Sequence, residues 1–245
     1  MTGNMKIGNR TFTFGKKVYI MGILNVTPDS FSDGGKFDTL EHAMAQVEKM
    51  IEEGADLIDV GGESTRPGHQ QITEDEEIAR VVPVIQKIKE KYDIPVSIDT
   101  YKSRVAEAAL EAGADIWGFL YDEKMAELAV RYDVPVCLMH NRNNTEYQDF
   151  VPDVVADLKK CLAVAEKYGV KKENIMLDPG VGFGKTYEQN LAIINHLEVL
   201  CDMGYPVLLA TSRKSVIGLT LDLPVTEREE GTIATSVIGA MKGCD

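Results

Sequence analysis

The sequence predicts an α/β fold made of repeated strand–loop–helix units. From residue 18 onward, short runs rich in β-branched residues recur, and most of them are followed by a polar loop and then by a helical stretch. The strand runs are almost continuously apolar instead of alternating, which is typical of parallel strands buried on both faces. Repeated units of this kind imply a parallel sheet, and their number favours a closed (β/α) barrel over an open doubly wound sheet.

The individual elements follow from this pattern in chain order. Six strands are predicted, at residues 18–25, 56–62, 94–100, 134–140, 174–180 and 206–211. Five helices are predicted between them, at residues 39–55, 73–92, 103–114, 151–170 and 186–205. Several helices begin at Ser, Thr or Asp, whose side chains cap a helix N-terminus, and several end close to Gly. Both the closed barrel and the open doubly wound sheet place the functional site at the carboxyl ends of the strands.

The composition argues against several classes of function. A chain of 245 residues suits one large α/β domain or two small ones. The formal net charge of −13 argues against binding of nucleic acid or of an anionic membrane surface, but local cations and helix N-termini could still hold a small anionic substrate. The four cysteines form no C-x-x-C pair, and no stretch approaches the length of a membrane span, so we expect a reducing cytoplasmic location.

Polar residues gather where the predicted strands end. They are Asn25, the run from Glu63 to Arg66, Asp99, His140, Asp178 and the run from Ser212 to Lys214. If the strands are parallel, all of these residues lie at one edge of the sheet, and the long polar loop after Asn25 would stand over the site.

Asp99 and Asp178 are the strongest candidates in this group. Each ends an apolar strand, and burial of a carboxylate without a partner is costly. Each is either a helix cap or an acceptor of hydrogen bonds from a ligand, and the second interpretation is favoured because several strand-end carboxylates converge. A heterocycle with an amidine-like edge, such as a pterin, donates two such bonds side by side.

Three other patterns have simpler explanations. Residues 178–186 contain the Gly-Lys-Thr of a phosphate loop, but Pro179 stands where the first Gly is needed, so a flexible loop is predicted there. Arg213 and Lys214 at the start of a helix could hold an anion or an electron-rich ring atom. His140 is read as a core histidine and not as a metal ligand, because no second His or Cys is close in the sequence.

Five motifs taken together resemble bacterial dihydropteroate synthases of the pterin-binding enzyme family. The motifs are Asn25–Gly35, Glu63–Gly68, Ser97–Thr100, Leu177–Lys185 and Ser212–Ser215. The resemblance implies one TIM (β/α)8 barrel domain over residues 1–245. It also implies a transferase of folate biosynthesis, a target of sulfonamides, that joins 6-hydroxymethyl-7,8-dihydropterin pyrophosphate to p-aminobenzoate and releases 7,8-dihydropteroate and pyrophosphate.

The resemblance also implies roles for individual residues. Asp99, Asp178 and Lys214 would hold the pterin and carry catalysis, with Asp178 at the pyrimidine edge and Lys214 at a ring oxygen or nitrogen. Asn25 would bind Mg²⁺ on the pyrophosphate. Further substrate-binding residues would be Thr65, Arg66, Pro67, Met139, Gly182, Phe183 and Ser212. The opening loop would close over the site with Phe31, Ser32 and Asp33.

The sequence departs from the family pattern in two places. Family members usually carry an Asn-Asp stretch in the fourth strand, whereas here Ala114-Asp115-Ile116 runs directly into Trp117. The sequence ends at Met241–Asp245, where the family continues into an eighth strand with an Arg-x-His anion site. A barrel lacking part of the fourth strand and the eighth strand is therefore expected, with impaired pyrophosphate binding and turnover if these segments are absent.

Two alternative functions remain at this point. A pterin-dependent corrinoid methyltransferase would have similar pterin carboxylates, but it would not need the motifs at Asn25–Gly35, Glu63–Gly68 and Ser212–Ser215 together. A non-catalytic pterin-binding protein would bind the pterin without turnover. The long C-terminal helices favour a homodimer.

Overall fold

The computed structural model describes residues 3–27, 36–63, 71–119 and 123–245. Six predicted site residues lie outside these ranges, namely Phe31, Ser32, Asp33, Thr65, Arg66 and Pro67. Internal contacts divide the chain into two compact units. The N-terminal unit comprises Met5–Phe12 and Tyr19–Val136, and the C-terminal unit comprises Met1–Asn4, Thr13–Val18 and Cys137–Asp245.

A short hairpin precedes the repeated units. Strands β1 (Gly3–Ile7) and β2 (Arg10–Phe14) form a two-stranded sheet, with Gly8 in the connecting turn at φ +58°. Alternate side chains of the hairpin are buried, including Ile7 and Phe12. This hairpin was not predicted, because its strands alternate polar and apolar residues instead of forming the continuous apolar runs that mark buried parallel strands.

The N-terminal unit contains four strands, each followed by a helix. In chain order these elements are β3 (Met21–Asn25), α1 (Lys36–Glu52), β4 (Leu57–Gly61), α2 (Glu74–Lys91), β5 (Val96–Asp99), α3 (Ser103–Glu111), β6 (Ile116–Phe119) and α4 (Glu123–Tyr132). The strands lie in the order β3-β4-β5-β6, and each neighbouring pair is parallel. This arrangement confirms the predicted parallel sheet. Helix α4 was not predicted.

Helix α2 illustrates why the predicted boundaries hold. Thr73 and Glu76 form a reciprocal capping box, in which the Thr73 hydroxyl accepts from the Glu76 N–H and the Glu76 carboxylate accepts from the Thr73 N–H. Acidic residues fill the first turn and Lys89 and Lys91 the last, which complements the helix dipole. Apolar residues spaced at helical intervals, such as Val81 and Ile88, are fully buried.

Strand β6, the fourth strand of this unit, is the strand that was expected to lack the Asn-Asp stretch of the family. Strand β6 is four residues long, the same length as β5, and its pairing includes Ser97 with Ile116 and Ile98 with Trp117. The expected loss of part of this strand is therefore not confirmed. Asp115, directly before β6, accepts hydrogen bonds from Lys89 Nζ at 2.7 Å and from the Val96 N–H at 2.9 Å.

The C-terminal unit continues the alternation of strands and helices. Its elements are β7 (Val136–Met139), α5 (Phe150–Tyr168), β8 (Ile175–Asp178), α6 (Tyr187–Asn195), α7 (Glu198–Cys201), α8 (Ser215–Leu221) and α9 (Glu229–Lys242). Strands β7 and β8 are neighbours in the sheet. Among the described residues, no helix combines the length and the apolar character that crossing a membrane requires.

Two predictions for this unit were wrong. The strand predicted at residues 206–211 is reduced to a single parallel bridge between Leu177 and Val207. Pro206 has no N–H to donate, and the Val207 N–H goes to the Asp245 carboxylate at 3.2 Å instead of to a strand. The helix predicted at residues 186–205 is divided into α6 and α7, because His196 leaves the helical region at φ −121° and ψ 30°.

Candidate active site

Asp178 ends β8 and is almost completely buried. Its carboxyl group lies inside the protein, with only 5% of the residue exposed. Burial raises the pKa of Asp178, and the nearby Lys214 ammonium is the strongest influence that opposes this rise, followed by the Gly180 N–H and by Lys185. The Gly180 N–H donates to Asp178 Oδ1 at 2.7 Å. This carboxylate is suited to accept hydrogen bonds from N–H groups of a bound heterocycle.

The loop after β8 turns sharply on three glycines. Gly180, Gly182 and Gly184 have φ values of +64°, +88° and +54°, which side-chain-bearing residues rarely adopt. A Cβ on Gly180 would overlap the carbonyl oxygen of His140, and one on Gly184 would overlap that of Arg142. The loop backbone therefore packs directly against the segment that follows β7. The predicted flexible loop is in fact closely packed.

Lys214 lies beside this loop at the start of α8. Its ammonium donates to the Val181 carbonyl and stands 4.8 Å from the centre of the Phe183 ring. A Cβ on Gly182 would lie 3.4 Å from Lys214 Cδ. The C-terminal unit thus brings together four of the predicted site residues, Asp178, Gly182, Phe183 and Lys214.

Two further predicted residues belong to the same unit. Met139 is the last residue of β7 and is partly buried. Ser212 is exposed, and the adjacent Arg213 has a positive φ of +50°, with its N–H bonded to Thr232 Oγ1 at 2.9 Å. The described contacts do not link Ser212 to the Asp178 cluster.

Asn25 and Asp99 come together in the N-terminal unit. They end β3 and β5, and the strand register pairs both with Gly61 at the end of β4. A Cβ on Gly61 would lie 3.4 Å from Asn25 Oδ1 and 3.8 Å from Asp99 Oδ2. Both side chains therefore converge on the space that the glycine leaves, as the parallel arrangement predicted.

A buried ionic cluster beside these residues was missed by the sequence analysis. Glu63 directly follows the sheet edge and accepts from the Lys102 ammonium and from the Tyr101 hydroxyl, the latter at 3.0 Å. Lys102 also donates to Glu77 Oε2 at 2.7 Å and to the Ile72 carbonyl at 2.8 Å. Burial opposes the lysine charge, but the bonds to Glu63 and Glu77 outweigh it and raise the pKa of Lys102. The cluster therefore holds the side chain of Glu63 in place at the end of the sheet.

Lys185 and His140 form a second buried pair that the sequence analysis did not assign to the site. Lys185 Nζ lies 2.8 Å from His140 Nδ1 and donates to the carbonyls of Gly180 and Phe183, each at 2.9 Å. Burial and the charges of Lys214 and Arg142 lower the pKa of Lys185 to about 7, against the opposing charge of Asp178. Lys185 is the last residue of the Leu177–Lys185 motif. Its position directly after the third glycine is the sequence feature that could have identified it as a site residue.

His140 is buried in the core, as expected from the sequence, although its Nε2 has no hydrogen-bond partner among the described residues. Burial and the charge of Lys185 lower the pKa of His140 to about 4, so the ring is neutral at pH 7. Its Nε2 faces Asp157 Oδ2 at 3.5 Å, and Asp157 is held in turn by Arg142 Nε at 2.5 Å. Within the described ranges, no group of three or more His, Cys, Asp or Glu side chains is arranged to hold a metal ion.

Comparison with known proteins identifies the family. The family model described as pterin binding enzyme matches residues 21–245. A dihydropteroate synthase of Clostridium beijerinckii is 63% identical to the chain over 246 aligned residues, which cover 98% of this chain and 91% of that protein. The chain therefore belongs to the pterin-binding enzyme family. The resemblance to bacterial dihydropteroate synthases that the five motifs predicted is confirmed by this match.

Solved structures of the same enzyme agree with the assignment. A Clostridium difficile dihydropteroate synthase determined in the presence of pteroic acid is 52% identical, with a TM-score of 0.93 over 96% of this chain and 91% of that one. A Xanthomonas albilineans dihydropteroate synthase with 4-aminobenzoic acid is 38% identical, with a TM-score of 0.94 over 100% and 91%. A Yersinia pestis enzyme in complex with a sulfonamide drug is 36% identical, with a TM-score of 0.91 over 99% and 91%.

The buried histidine predicts a specific dependence of stability on pH. The pKa of His140 is about 4 in the folded protein and about 6.5 when unfolded, so between these values the unfolded chain binds a proton that the folded chain does not. The free energy of unfolding should therefore fall as the pH is lowered from 6.5 to 4, by at most about 1.4 kcal/mol per pH unit.

Urea denaturation of the wild type and of His140→Phe at several pH values measures this contribution. The difference between the two proteins should shrink or change sign in favour of the variant as the pH falls. The His42→Phe replacement, at an exposed position, serves as the control for the loss of a histidine. A constant difference between wild type and His140→Phe from pH 7 to pH 4 would contradict the assignment of a neutral buried imidazole.

Proposed function

We propose that this chain catalyses the condensation of 6-hydroxymethyl-7,8-dihydropterin pyrophosphate with p-aminobenzoate, the dihydropteroate synthase step of folate biosynthesis. The observation that carries the proposal is the cluster of Asp178, Phe183 and Lys214, because it combines a buried hydrogen-bond acceptor, an aromatic face and a cation. The C. beijerinckii relative with this activity is aligned over 98% of the chain. Sulfonamides, as analogues of p-aminobenzoate, would compete for the second substrate.

Asp178 and Lys214 are assigned to the pterin. The Asp178 carboxylate accepts the two adjacent N–H donors of the pyrimidine edge, which replace the water that burial has removed. Lys214 donates to a ring oxygen or nitrogen. Asp99, at the end of β5, is the third catalytic residue and contributes negative charge where the pterin methylene carbon becomes cationic.

The reaction needs no covalent intermediate with the enzyme. The C–O bond to pyrophosphate breaks with its electron pair leaving on oxygen, and electron release from the dihydropterin ring stabilises the resulting cation. The arylamine nitrogen then forms the new C–N bond and loses one proton. Fixed carboxylates stabilise the developing positive charge because they need not reorganise during the reaction.

The second substrate is assigned to residues from several loops. In the C-terminal unit, the Phe183 ring and Ser212 contact p-aminobenzoate, and Met139 and Gly182 contribute to substrate binding. Residues outside the described ranges complete this assignment, namely Thr65, Arg66, Pro67, Phe31, Ser32 and Asp33. Glu63, the residue that precedes the Ser64–Arg66 run in the sequence, is itself held by hydrogen bonds from Tyr101 and Lys102.

Magnesium is proposed as the cofactor. The amide oxygen of Asn25 stands at the exposed end of β3 within the space shared with Asp99, and oxygen atoms are the ligands that Mg²⁺ prefers. Mg²⁺ usually takes only one or two protein ligands and completes its shell with phosphate oxygens and water, which fits a single asparagine. When bound, the ion neutralises charge on the departing pyrophosphate.

The proposal extends to architecture and location. The parallel strands belong to a single-domain (β/α)8 barrel, which is supported by TM-scores above 0.9 with three dihydropteroate synthases. A cytoplasmic location is supported by four cysteines in the thiol form, Cys137, Cys161, Cys201 and Cys244.

The assignment of the pterin site is tested by replacing its charged residues. Asp178→Asn and Lys214→Met should each lower kcat/KM at least 100-fold in a pyrophosphate-release assay, because each removes a charge that the reaction uses. The exposed Asp202→Asn serves as the control and should behave like the wild type. Turnover within tenfold of wild type would remove the altered residue from the site, and pterin binding by a wild type without turnover would indicate a non-catalytic pterin-binding protein.

The metal assignment predicts a defined response to chelation. Removal of divalent ions should abolish turnover, and added Mg²⁺ should restore it. Asn25→Ala should raise the Mg²⁺ concentration needed for half-maximal pyrophosphate binding by at least tenfold, as measured by calorimetry, whereas Asn195→Ala on an exposed helix end should leave it unchanged. An unchanged Mg²⁺ requirement in Asn25→Ala would contradict this role.

The proposed partner is a second copy of the chain. Large apolar side chains on α8 and α9 are exposed, namely Leu219, Leu221, Ile233, Val237, Ile238 and Met241. Sedimentation should give twice the chain mass of 27.0 kDa. The double replacement of Ile233 and Val237 by Glu should yield monomers, and Val130→Glu, at an exposed apolar position on α4, should not. A monomeric wild type at micromolar concentration would refute the dimer.

A further inference from the structure

We propose that Lys185 is a positioning residue for the substrate site, which fixes the backbone of the β8 loop and thereby sets the positions of Phe183 and Asp178. The inference rests on the proposed function. It assigns a positioning role to two buried residues, Lys185 and His140, that the mechanism does not use directly.

The hydrogen bonds of Lys185 reach the residues that contact substrate. Its ammonium has three N–H donors, and three acceptors surround it: the carbonyls of Gly180 and Phe183 at 2.9 Å each, and His140 Nδ1 at 2.8 Å. The Phe183 carbonyl belongs to the residue whose ring faces p-aminobenzoate. The Gly180 carbonyl belongs to the residue whose N–H holds Asp178 Oδ1 at 2.7 Å.

The two lysines hold different carbonyls of the same loop. Lys185, with only 9% of the residue exposed, takes the carbonyls of Gly180 and Phe183, and Lys214 takes the intervening Val181 carbonyl. The Lys214 ammonium also stands over the Phe183 ring at 4.8 Å. Because Gly182, which lies between these carbonyls, gives the backbone little resistance to rotation, loss of the bonds from Lys185 would let Phe183 move relative to Lys214.

His140 supplies the third acceptor for Lys185, and Asp157 lies on the other side of its ring. The Lys185 ammonium lies 2.8 Å from His140 Nδ1, which favours the tautomer with the proton on Nε2; Nε2 itself lies 3.5 Å from Asp157 Oδ2 and makes no hydrogen bond among the described residues. In that tautomer Nδ1 is an acceptor, so the lysine must supply the proton between them. Asp157 is fixed by Arg142 Nε at 2.5 Å and by Lys160 Nζ at 2.7 Å, so the arrangement continues from α5 to the β8 loop.

Substitution at Lys185 distinguishes positioning from general stabilisation. Lys185→Met keeps an unbranched side chain, one heavy atom shorter than lysine, and removes all three donors. We expect KM for p-aminobenzoate to rise at least tenfold and KM for the pterin pyrophosphate to rise less, because Phe183 is bonded directly and Asp178 only through Gly180. If Lys185 had only a structural role, its replacement would lower the melting temperature and the fraction of active enzyme. The apparent kcat would then fall, and both KM values would stay unchanged.

The matched control is Lys160→Met. Lys160 donates to Asp157 Oδ1 and belongs to the same network, but it is mostly exposed and makes no described contact with the β8 loop. Both KM values of this variant should stay within twofold of wild type. If Lys185→Met does not fold, His140→Phe provides the test, since it removes one acceptor and should raise KM for p-aminobenzoate at least threefold.

The outcomes separate this inference from the proposed function. A wild type that forms no dihydropteroate refutes the proposed function. An active wild type with unchanged KM values in folded Lys185→Met, or in His140→Phe where the first variant fails to fold, refutes the positioning role alone. A selective rise in KM for p-aminobenzoate, with the control unchanged, supports it.

Discussion

The neutralisation of one buried carboxylate organises the C-terminal part of the site. Asp178 is held in an environment that raises its pKa, and an uncompensated charge there would cost several kcal/mol. Compensation comes from the Gly180 N–H and from the charges of Lys214 and Lys185. Both lysines also bind carbonyls of the adjoining loop, so the groups that balance the charge also fix the backbone.

This arrangement destabilises the charged form of the buried lysine, Lys185. Burial and two neighbouring cations lower the pKa of Lys185 to about 7, whereas Lys214 is only partly buried at the loop surface. The interior amine can therefore lose its proton near neutral pH. The neutral His140 limits the loss because its ring accepts the third hydrogen bond without adding another positive charge.

Sequence reasoning succeeded where a local pattern determines position. Asn25, Asp99 and Asp178 were placed at strand ends because continuous apolar runs mark buried parallel strands, and the observed register confirms the alignment of the first two. It failed at Lys185, since a lysine after a glycine-rich loop resembles a solvated residue. Its burial depends on the segment after β7, about 45 residues away in the chain.

Other failures have the same physical origin. The apolar run from Pro206 to Thr211 has strand composition, but a proline without an N–H and a carboxylate that captures the Val207 N–H leave one bridge in its place. The N-terminal hairpin was missed because its alternation resembles a surface segment until partners for Ile7 and Phe12 are known. Long-range packing decided both cases.

The glycines of the β8 loop restrict how this part of the site can evolve under drug selection. Side chains at Gly180 and Gly184 would overlap the carbonyl oxygens of His140 and Arg142, and Val181 is fully buried. Phe183, whose side chain is only partly buried, is therefore expected to tolerate substitution more readily than Gly180, Val181 or Gly184. Escape from an inhibitor that contacts only the loop backbone would require the segment after β7 to change at the same time.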